Sequence, residues 1–439
     1  MSLQDLHSRL TEAFERRIQT GDHYRWAPNH PLRHRAFQAF QRMGFPTTRH
    51  EDWKYTSLAP VLRPSYNLEP PSPPTTTALA EHLTLQGKLP LPHLWVANGL
   101  LLTSRAAAGF QIQSLSLSQT STHSAQFPIG QILEPESETF VALNTALTPD
   151  AILLTVEDAP SELFHIALVT TAEMQPQLAQ PRLNIAVQPN SFGRVAISLH
   201  ATGSHPSLTN AVAEVSLDVG SELELILWEL PPTPAFAIVT VGVKLAAHAR
   251  LRVWTVALGG ALLRNNLYIR LGGPSADAQL FGATMVNKQQ VVDHRTLVEH
   301  RAEGCTSNQL YKSVADEQGT VTFTGRIHVY PGAQKTNAYQ AHRAVLLSEK
   351  ATVNARPQLE IYADDVRCTH GATAGTLDEE ALFYMRSRGL PESHARALLL
   401  HAFVSEALTT LPDELLRSSA SQAIAERAHP HAEVVQWTP

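Results

Sequence analysis

Short runs of alternating apolar and polar residues recur at a nearly constant interval through the middle of the chain, from about residue 94 to residue 370. The alternation within a run has period two, so Leu223 and Leu225 share one strand face and charged residues occupy the other. Each run starts at a small residue, clearly in the first four runs and more weakly in the last two. These small residues lie 28, 28, 29, 29 and 26 positions apart: Gly193, Ser221, Ala249, Ala278, Ser307 and Ala333.

A second series of runs interleaves with the first, at residues 212–217, 238–243, 266–271, 296–299 and 321–327. A repeat of this length that holds two short strands predicts a β-solenoid, because one coil cannot bury its inward side chains alone and stacked coils share a narrow core. The alternative is an antiparallel sandwich, whose strands recur roughly every 8–12 residues. We predict a mainly β fold with a solenoid core.

Apolar residues at helical spacing flank this region on both sides. The pattern divides the chain into an N-terminal helical region (1–70), a proline-rich linker (71–93), the solenoid core (94–374) and a C-terminal helical region (375–439).

The C-terminal region carries its own helix start and stop signals. A capping box over residues 376–379 opens a first helix, Gly389 ends it, and Pro391 and Pro412 open two more. We expect these amphipathic helices to cover the last coil of the solenoid and to leave their second face for a partner.

Composition and missing motifs exclude several classes of function. Only 17% of the 439 residues are charged and the formal net charge is −6, which argues against nucleic-acid binding through a basic surface. No apolar run approaches the roughly 20 residues that cross a bilayer, and the first residues lack a signal-peptide core. We therefore expect a cytoplasmic protein that binds no membrane. The sequence contains no P-loop, His-Glu-x-x-His or Gly-x-Ser-x-Gly motif, so we expect it not to be an enzyme.

The most suggestive local chemistry is the sequence Cys368-Thr369-His370. It follows residues 359–367, which have the pattern of one strand, so the thiol and the imidazole would point to the same side. These ligand types suit iron or zinc, but a tetrahedral site needs four ligands and this motif supplies two. The alternative is a buried cysteine that packs as a small apolar residue beside a surface histidine.

Other reactive residues have simpler interpretations. We interpret His294, His300 and His342 as surface or hydrogen-bonded loop residues, and Cys305 as a buried core thiol. The motif at residues 50–55, His-Glu-Asp-Trp-Lys-Tyr, is interpreted as an aromatic anchor with solvated charges.

Several of these segments resemble a known family. Residues 357–373 and 377–389, together with 323–329, 333–338 and 50–56, are similar to the SufB/SufD proteins of the SUF iron–sulfur cluster assembly machinery. Where SufB-type chains have His-Glu-Ala-Thr, this chain has His-Gly-Ala-Thr at 370–373, and it lacks their extra cysteines. Both departures favour the SufD branch.

The resemblance implies a right-handed parallel β-helix and a scaffold function in iron–sulfur cluster assembly, in a SufBCD complex with SufB and the ATPase SufC. It implies that His370, with Cys368 beside it, lies at the interface with SufB, where a cluster would be held transiently. No cofactor would be tightly bound by this chain alone. A homodimer of the isolated chain would also be consistent with the family.

The resemblance also places the contact with SufC on the C-terminal helices, within residues 378–410. The candidates there, for contact or for core packing, are Phe383, Tyr384, Arg388 and Phe403. Two other functions stay open: a SufB-like subunit that carries the cluster, and a β-helix enzyme that acts on polysaccharide.

Overall fold

A solenoid of twenty strands forms the centre of the computed structural model, which describes residues 3–20, 31–69, 89–114, 129–232 and 234–428. The strands are β1 (Leu94–Ala97), β2 (Leu100–Ser104), β3 (Phe110–Ser114), β4 (Ile152–Val156), β5 (Leu163–Thr171), β6 (Gln177–Ala179), β7 (Arg182–Val187), β8 (Phe192–Thr202), β9 (Ser207–Leu217), β10 (Glu222–Glu229), β11 (Ala235–Leu245), β12 (Arg250–Ala257), β13 (Leu262–Leu271), β14 (Asp277–Val286), β15 (Val291–His300), β16 (Thr306–Ala315), β17 (Thr320–Val329), β18 (Thr336–Leu346), β19 (Thr352–Ile361) and β20 (Val366–Gly375).

The strands form two sheets, and the chain alternates between them to make about eight coils. The first sheet has the order β2-β1-β5-β8-β10-β12-β14-β16-β18-β20, and the second β3-β4-β7-β9-β11-β13-β15-β17-β19 with β6 beside β9. From β5 and β7 onward each strand pairs in parallel with the strand one coil away. The predicted mainly β solenoid is confirmed.

The two series of runs in the sequence are the two sheets. Leu223, Leu225 and their counterparts one coil later face a shared core between the sheets, as the alternation predicts. The phase of the repeat was wrong at three matches: Gly193 lies opposite Leu223, Ala278 lies opposite Leu251, and Ser307 lies opposite Ala338 rather than Ala333. The first two matches are shifted by two residues and the third by five. A shift of two residues keeps the same side chains facing inward, so alternation alone cannot detect it.

The two ends of the solenoid are built differently. At the N-terminal end both sheets finish in five-residue antiparallel strands, β2 and β3. At the C-terminal end they finish in the ten-residue parallel strands β19 and β20, and within the described ranges nothing pairs with their outer edges. β20 is exposed over most of its length.

The C-terminal helices do not cover this last coil, contrary to our expectation. Helices α6 (Glu392–Ser405) and α7 (Glu414–Ala428) pack over the outer face of the first sheet, and helix α5 (Glu379–Ser387) packs against α6. The two longer helices pack on that face because β10, β12 and β14 have large apolar side chains on it, and helix packing removes these side chains from water. They are Ile226, Trp228, Trp254 and Phe281.

The ends of helix α5 were predicted in part. Its N-terminal cap is Asp378, whose carboxylate accepts hydrogen bonds from two backbone N–H groups, so the predicted box beginning at Thr376 was wrong. Gly389 follows the helix with φ of 90°, a conformation that favours glycine and ends the helix as predicted.

The N-terminal helices α1 (Leu3–Thr20), α2 (Pro31–Met43), α3 (Ala59–Leu62) and α4 (Thr139–Leu147) pack on the outer face of the second sheet. Most of the predicted linker lies outside the described residues, and the four-part division of the chain stays a prediction. No helix in the described part of the chain is long and apolar enough to cross a membrane.

Candidate functional site

Cys368 and His370 both lie on β20, the last strand of the first sheet. The stretch 359–367, predicted as one strand, is not one: β19 ends at Ile361, the chain turns through residues 362–365, and β20 starts at Val366 on the other sheet. The turn places the two residues on the edge strand at the open end of the solenoid.

The two side chains share the inward face of β20 but differ in exposure. Cys368 lies opposite Ala338 and packs against a small apolar cluster that includes Ile327 and Val329. Burial raises the pKa of the Cys368 thiol, so the thiol rather than the thiolate predominates at neutral pH. His370, two residues further along, is exposed because no further coil lies over it.

A chain of three hydrogen bonds joins the two sheets beneath His370, and the pairing of Thr296 on β15 with Gly325 on β17 closes it into a ring. Thr296 Oγ1 donates to Gln309 Oε1 at 2.7 Å, Gln309 Nε2 donates to Gln340 Oε1 at 3.5 Å, and Gln340 Nε2 donates to the Gly325 carbonyl at 3.2 Å. Gln309 and Gln340 are fully buried. Sequence analysis did not single out these residues, although their inward parity on β16 and β18 was a usable signal.

The three histidines interpreted as surface or loop residues are buried strand residues instead. His294 Nε2 pairs with Thr284 Oγ1 at 2.8 Å, and His342 Nε2 pairs with Ser313 Oγ at 3.1 Å. Burial lowers the pKa of His294 to about 3 and the pKa values of His300 and His342 to about 4. These imidazoles are therefore neutral and act as hydrogen-bonding core residues. Cys305 is buried, as predicted.

A buried carboxyl group completes this polar part of the core. Glu229 Oε2 accepts from Asn265 Nδ2 at 2.6 Å, and burial raises the pKa of Glu229 to about 7. Nowhere in the described ranges do three or more His, Cys, Asp or Glu side chains come together as a metal cage. Cys368 and His370 could contribute two ligands to a larger set.

The second candidate surface lies on helix α5. Phe383 and Tyr384 are 72% and 59% exposed, and the guanidinium of Arg388 lies 5.2 Å from the centre of the Tyr384 ring. Phe403 differs from these three: it packs on the outer face of the first sheet, with Lys312 Nζ 4.3 Å from its ring centre. The three exposed residues on and directly after helix α5 are therefore the candidate surface, whereas Phe403 packs between helix α6 and the first sheet.

Comparison with known protein families decides the relationship. A family model described as the SufBD core domain of SUF system FeS cluster assembly matches residues 168–403, more than half of the chain, and a model of the SufBD N-terminal region matches residues 5–161. The chain belongs to the SufBD family. Its function is SufD-like, in iron–sulfur cluster assembly.

Individual SufBD relatives agree with this assignment. The chain is 29% identical to the iron–sulfur cluster assembly protein SufD of Escherichia coli over 410 residues, which cover 90% of this chain and 92% of that protein. It is 33% identical to a SufBD family protein of Synechocystis over 66% of each chain. A SufBD family protein of Mycobacterium leprae is 32% identical over 42% of this chain and 50% of its own.

The motif at residues 50–55 of this SufBD chain fastens the N-terminal helices to the second sheet. Trp53 is buried as the predicted anchor, and the Arg264 guanidinium lies 3.7 Å from its ring centre. The charged residues around it keep solvent contact, as predicted, and two of them also form ion pairs: Glu51 with Arg356, and Asp52 with Arg295 at 2.7 Å. The motif thus has a structural role.

Proposed function

We propose that this SufD-like chain is a non-enzymatic scaffold subunit in the cytoplasm, which joins a SufB-type subunit and a SufC-type ATPase in a SufBCD complex. An iron–sulfur cluster would be its cargo rather than a resident cofactor. One observation carries the proposal: the last coil is uncovered and presents His370 on its edge strand.

The open end has the form of a docking edge. β19 and β20 offer ten residues each of edge backbone, and unpaired strand edges bind another chain by strand addition. A SufB-type solenoid that continued both sheets would place its own inward side chains directly over His370 and Cys368. The interface would then enclose a small chamber lined by both subunits.

A chamber of this kind suits transient assembly. Imidazole and thiolate are ligands that iron accepts, and two from this chain leave at least two for the partner. A ligand set divided between subunits lets the cluster leave when the interface opens. Because burial raises the pKa of the Cys368 thiol, we expect His370 to be the more important contributor.

The surface formed by Phe383, Tyr384 and Arg388 is the proposed contact with the ATPase. Exposed aromatic and arginine side chains commonly dominate binding energy at interfaces. Movement at α5 would reach the solenoid through α6. Glu406, which directly follows α6, accepts a hydrogen bond from the buried Lys312 of β16.

The experiment for the open end is His370→Ala in a complex co-expressed with SufB-type and SufC-type subunits. We expect the complex to form but to carry far less cluster, measured as iron, sulfide and visible absorbance per complex. Thr369→Ala is the matched control, since Thr369 is exposed on the same strand but on its other face. Equal cluster content in the His370 variant and the control would contradict the proposal.

The experiment for the helical surface is Phe383→Ala, measured by recovery of the ATPase with the tagged chain. Removal of a central aromatic contact should weaken binding by about 2 kcal/mol, or about thirtyfold in Kd. Leu415→Ala is the control, because Leu415 is a similarly exposed apolar residue on α7. Unchanged recovery in the Phe383 variant would place the ATPase contact elsewhere.

A further inference from the structure

The ring of Thr296, Gln309, Gln340 and Gly325 is the last closed layer of the core before the open end. Each sheet contributes two of its residues, so the ring ties β15 and β17 to β16 and β18. Buried amides in such a closed ring have fixed positions, because rotating one would leave another without its partner.

A glycine makes room for the amide of Gln340. A Cβ atom built on Gly325 would fall on the Gln340 carboxamide, so only glycine lets this side chain extend across the core to the opposite strand. The glutamine therefore spans the full width of the core beneath the last coil.

The register places this glutamine directly under the candidate site. Gln340 is the β18 partner of His370, and Gly325 is the β17 partner of Pro357 on β19. Side chains of directly paired residues on the same sheet face are neighbours about 5 Å apart. Gln309 lies one strand further away from His370, behind Gln340.

We propose that Gln340 is the positioning residue for His370. The position of Gln340 under His370 rests on the strand register and on the ring. Its importance for cluster assembly rests on the proposed function. A carboxamide carries both donor and acceptor atoms, so Gln340 can hold one imidazole nitrogen of His370 and turn the other outward. The Gly325 carbonyl and the space left at Gly325 hold the amide whether or not Gln309 is present, and the amide fixes the tautomer and direction of the imidazole.

The physical benefit is orientation of a side chain that is otherwise exposed. An imidazole ligand binds iron through one nitrogen, and a hydrogen bond to its other nitrogen sets which one is free. Loss of such a supporting contact typically costs about 10- to 100-fold in metal affinity or activity. Without Gln340, the imidazole of His370 could still bind iron, but neither of its nitrogens would be held facing outward.

The test compares two leucine variants, Gln340→Leu and Gln309→Leu, in the isolated full-length chain. Both remove one amide from the same ring, but only Gln340 is paired with His370. Ring-nitrogen NMR spectra of neutral His370 should show one dominant tautomer in the unaltered chain and in Gln309→Leu. The Gln340→Leu spectrum should show the mixture of a free imidazole.

Equal loss of the dominant tautomer in both variants would overturn the inference, because it would show a general effect of breaking the ring. A free-imidazole mixture in the unaltered chain would overturn it too, and that measurement needs no variant to fold. In the co-expressed complex, Gln340→Leu should lower cluster content at least about tenfold and Gln309→Leu much less. If His370→Ala leaves cluster content unchanged while the tautomer result holds, the proposed function fails and the positioning role stands.

Discussion

The buried histidines should make this fold sensitive to mild acid. His165, His294, His300 and His342 are buried, and burial lowers their pKa values to between about 3 and about 4 from the usual 6.5. The unfolded chain binds their protons below pH 6.5, whereas the folded chain does not. Their stabilising contribution is therefore complete above pH 6.5 and is lost as the pH falls toward 4.

The steepness of this pH dependence follows from the number of protons that bind when the chain unfolds. Each histidine lowers the free energy of unfolding by roughly 1 kcal/mol per pH unit within this window. Glu229 acts in the opposite sense, because its folded pKa is raised to about 7 from 4.5 and the folded chain holds the proton longer. Four histidines each bind a proton on unfolding and Glu229 releases one, so about three protons are bound in total. The free energy of unfolding should therefore fall by roughly 3 kcal/mol per pH unit, a large fraction of the stability of a typical domain.

Urea unfolding of the full chain, followed from about pH 6.5 to about pH 5, measures this slope. His300→Gln should reduce the slope by roughly 1 kcal/mol per pH unit, since one proton no longer binds on unfolding. Glu229→Gln should steepen it by a similar amount, because the opposing group is removed. A stability that stays flat over this range, or variants that both leave the slope unchanged, would refute the reasoning.

Two further predictions concern packing. Asp293→Ala should lower the free energy of unfolding by about 3–5 kcal/mol in urea titrations, because it leaves the buried Arg264 without its carboxylate; a loss below about 1 kcal/mol would contradict this. Gly282→Ala should cost at least about 1–3 kcal/mol, because its new methyl group would meet the Tyr311 ring, whereas Gly375→Ala, which points into open space, should change stability by less than about 0.5 kcal/mol.

The sequence predicts the solenoid well because each coil repeats the same burial pattern. The nearly constant interval between runs and the period-two alternation both follow from stacked coils, so they are visible without coordinates. The buried histidines were missed because they were treated as polar residues by type. On β15, however, Val292 and Val298 face inward, and His294 and His300 share their parity. The period-two alternation of β15 would therefore have predicted that both histidines face the core.

Other features depend on contacts that no local pattern records. The C-terminal helices are recognisable as amphipathic, but only the large outward side chains of β10, β12 and β14 place them on the face of the first sheet rather than over its end. The pairing of Glu51 with Arg356 joins residues 305 positions apart. The ring under His370 likewise needed the exact register between β16 and β18, where the sequence match of Ser307 to Ala333 lies five residues from the true partner Ala338.

The unlike ends of the solenoid have a consequence for the size of any assembly. A rod with two equivalent adhesive ends would add copies indefinitely and grow into a fibre, whereas a rod with one such end stops after a single addition. The short reversed strands β2 and β3 disfavour growth in one direction, and the ten-residue edges of β19 and β20 permit it in the other. The geometry therefore favours closed pairs over filaments.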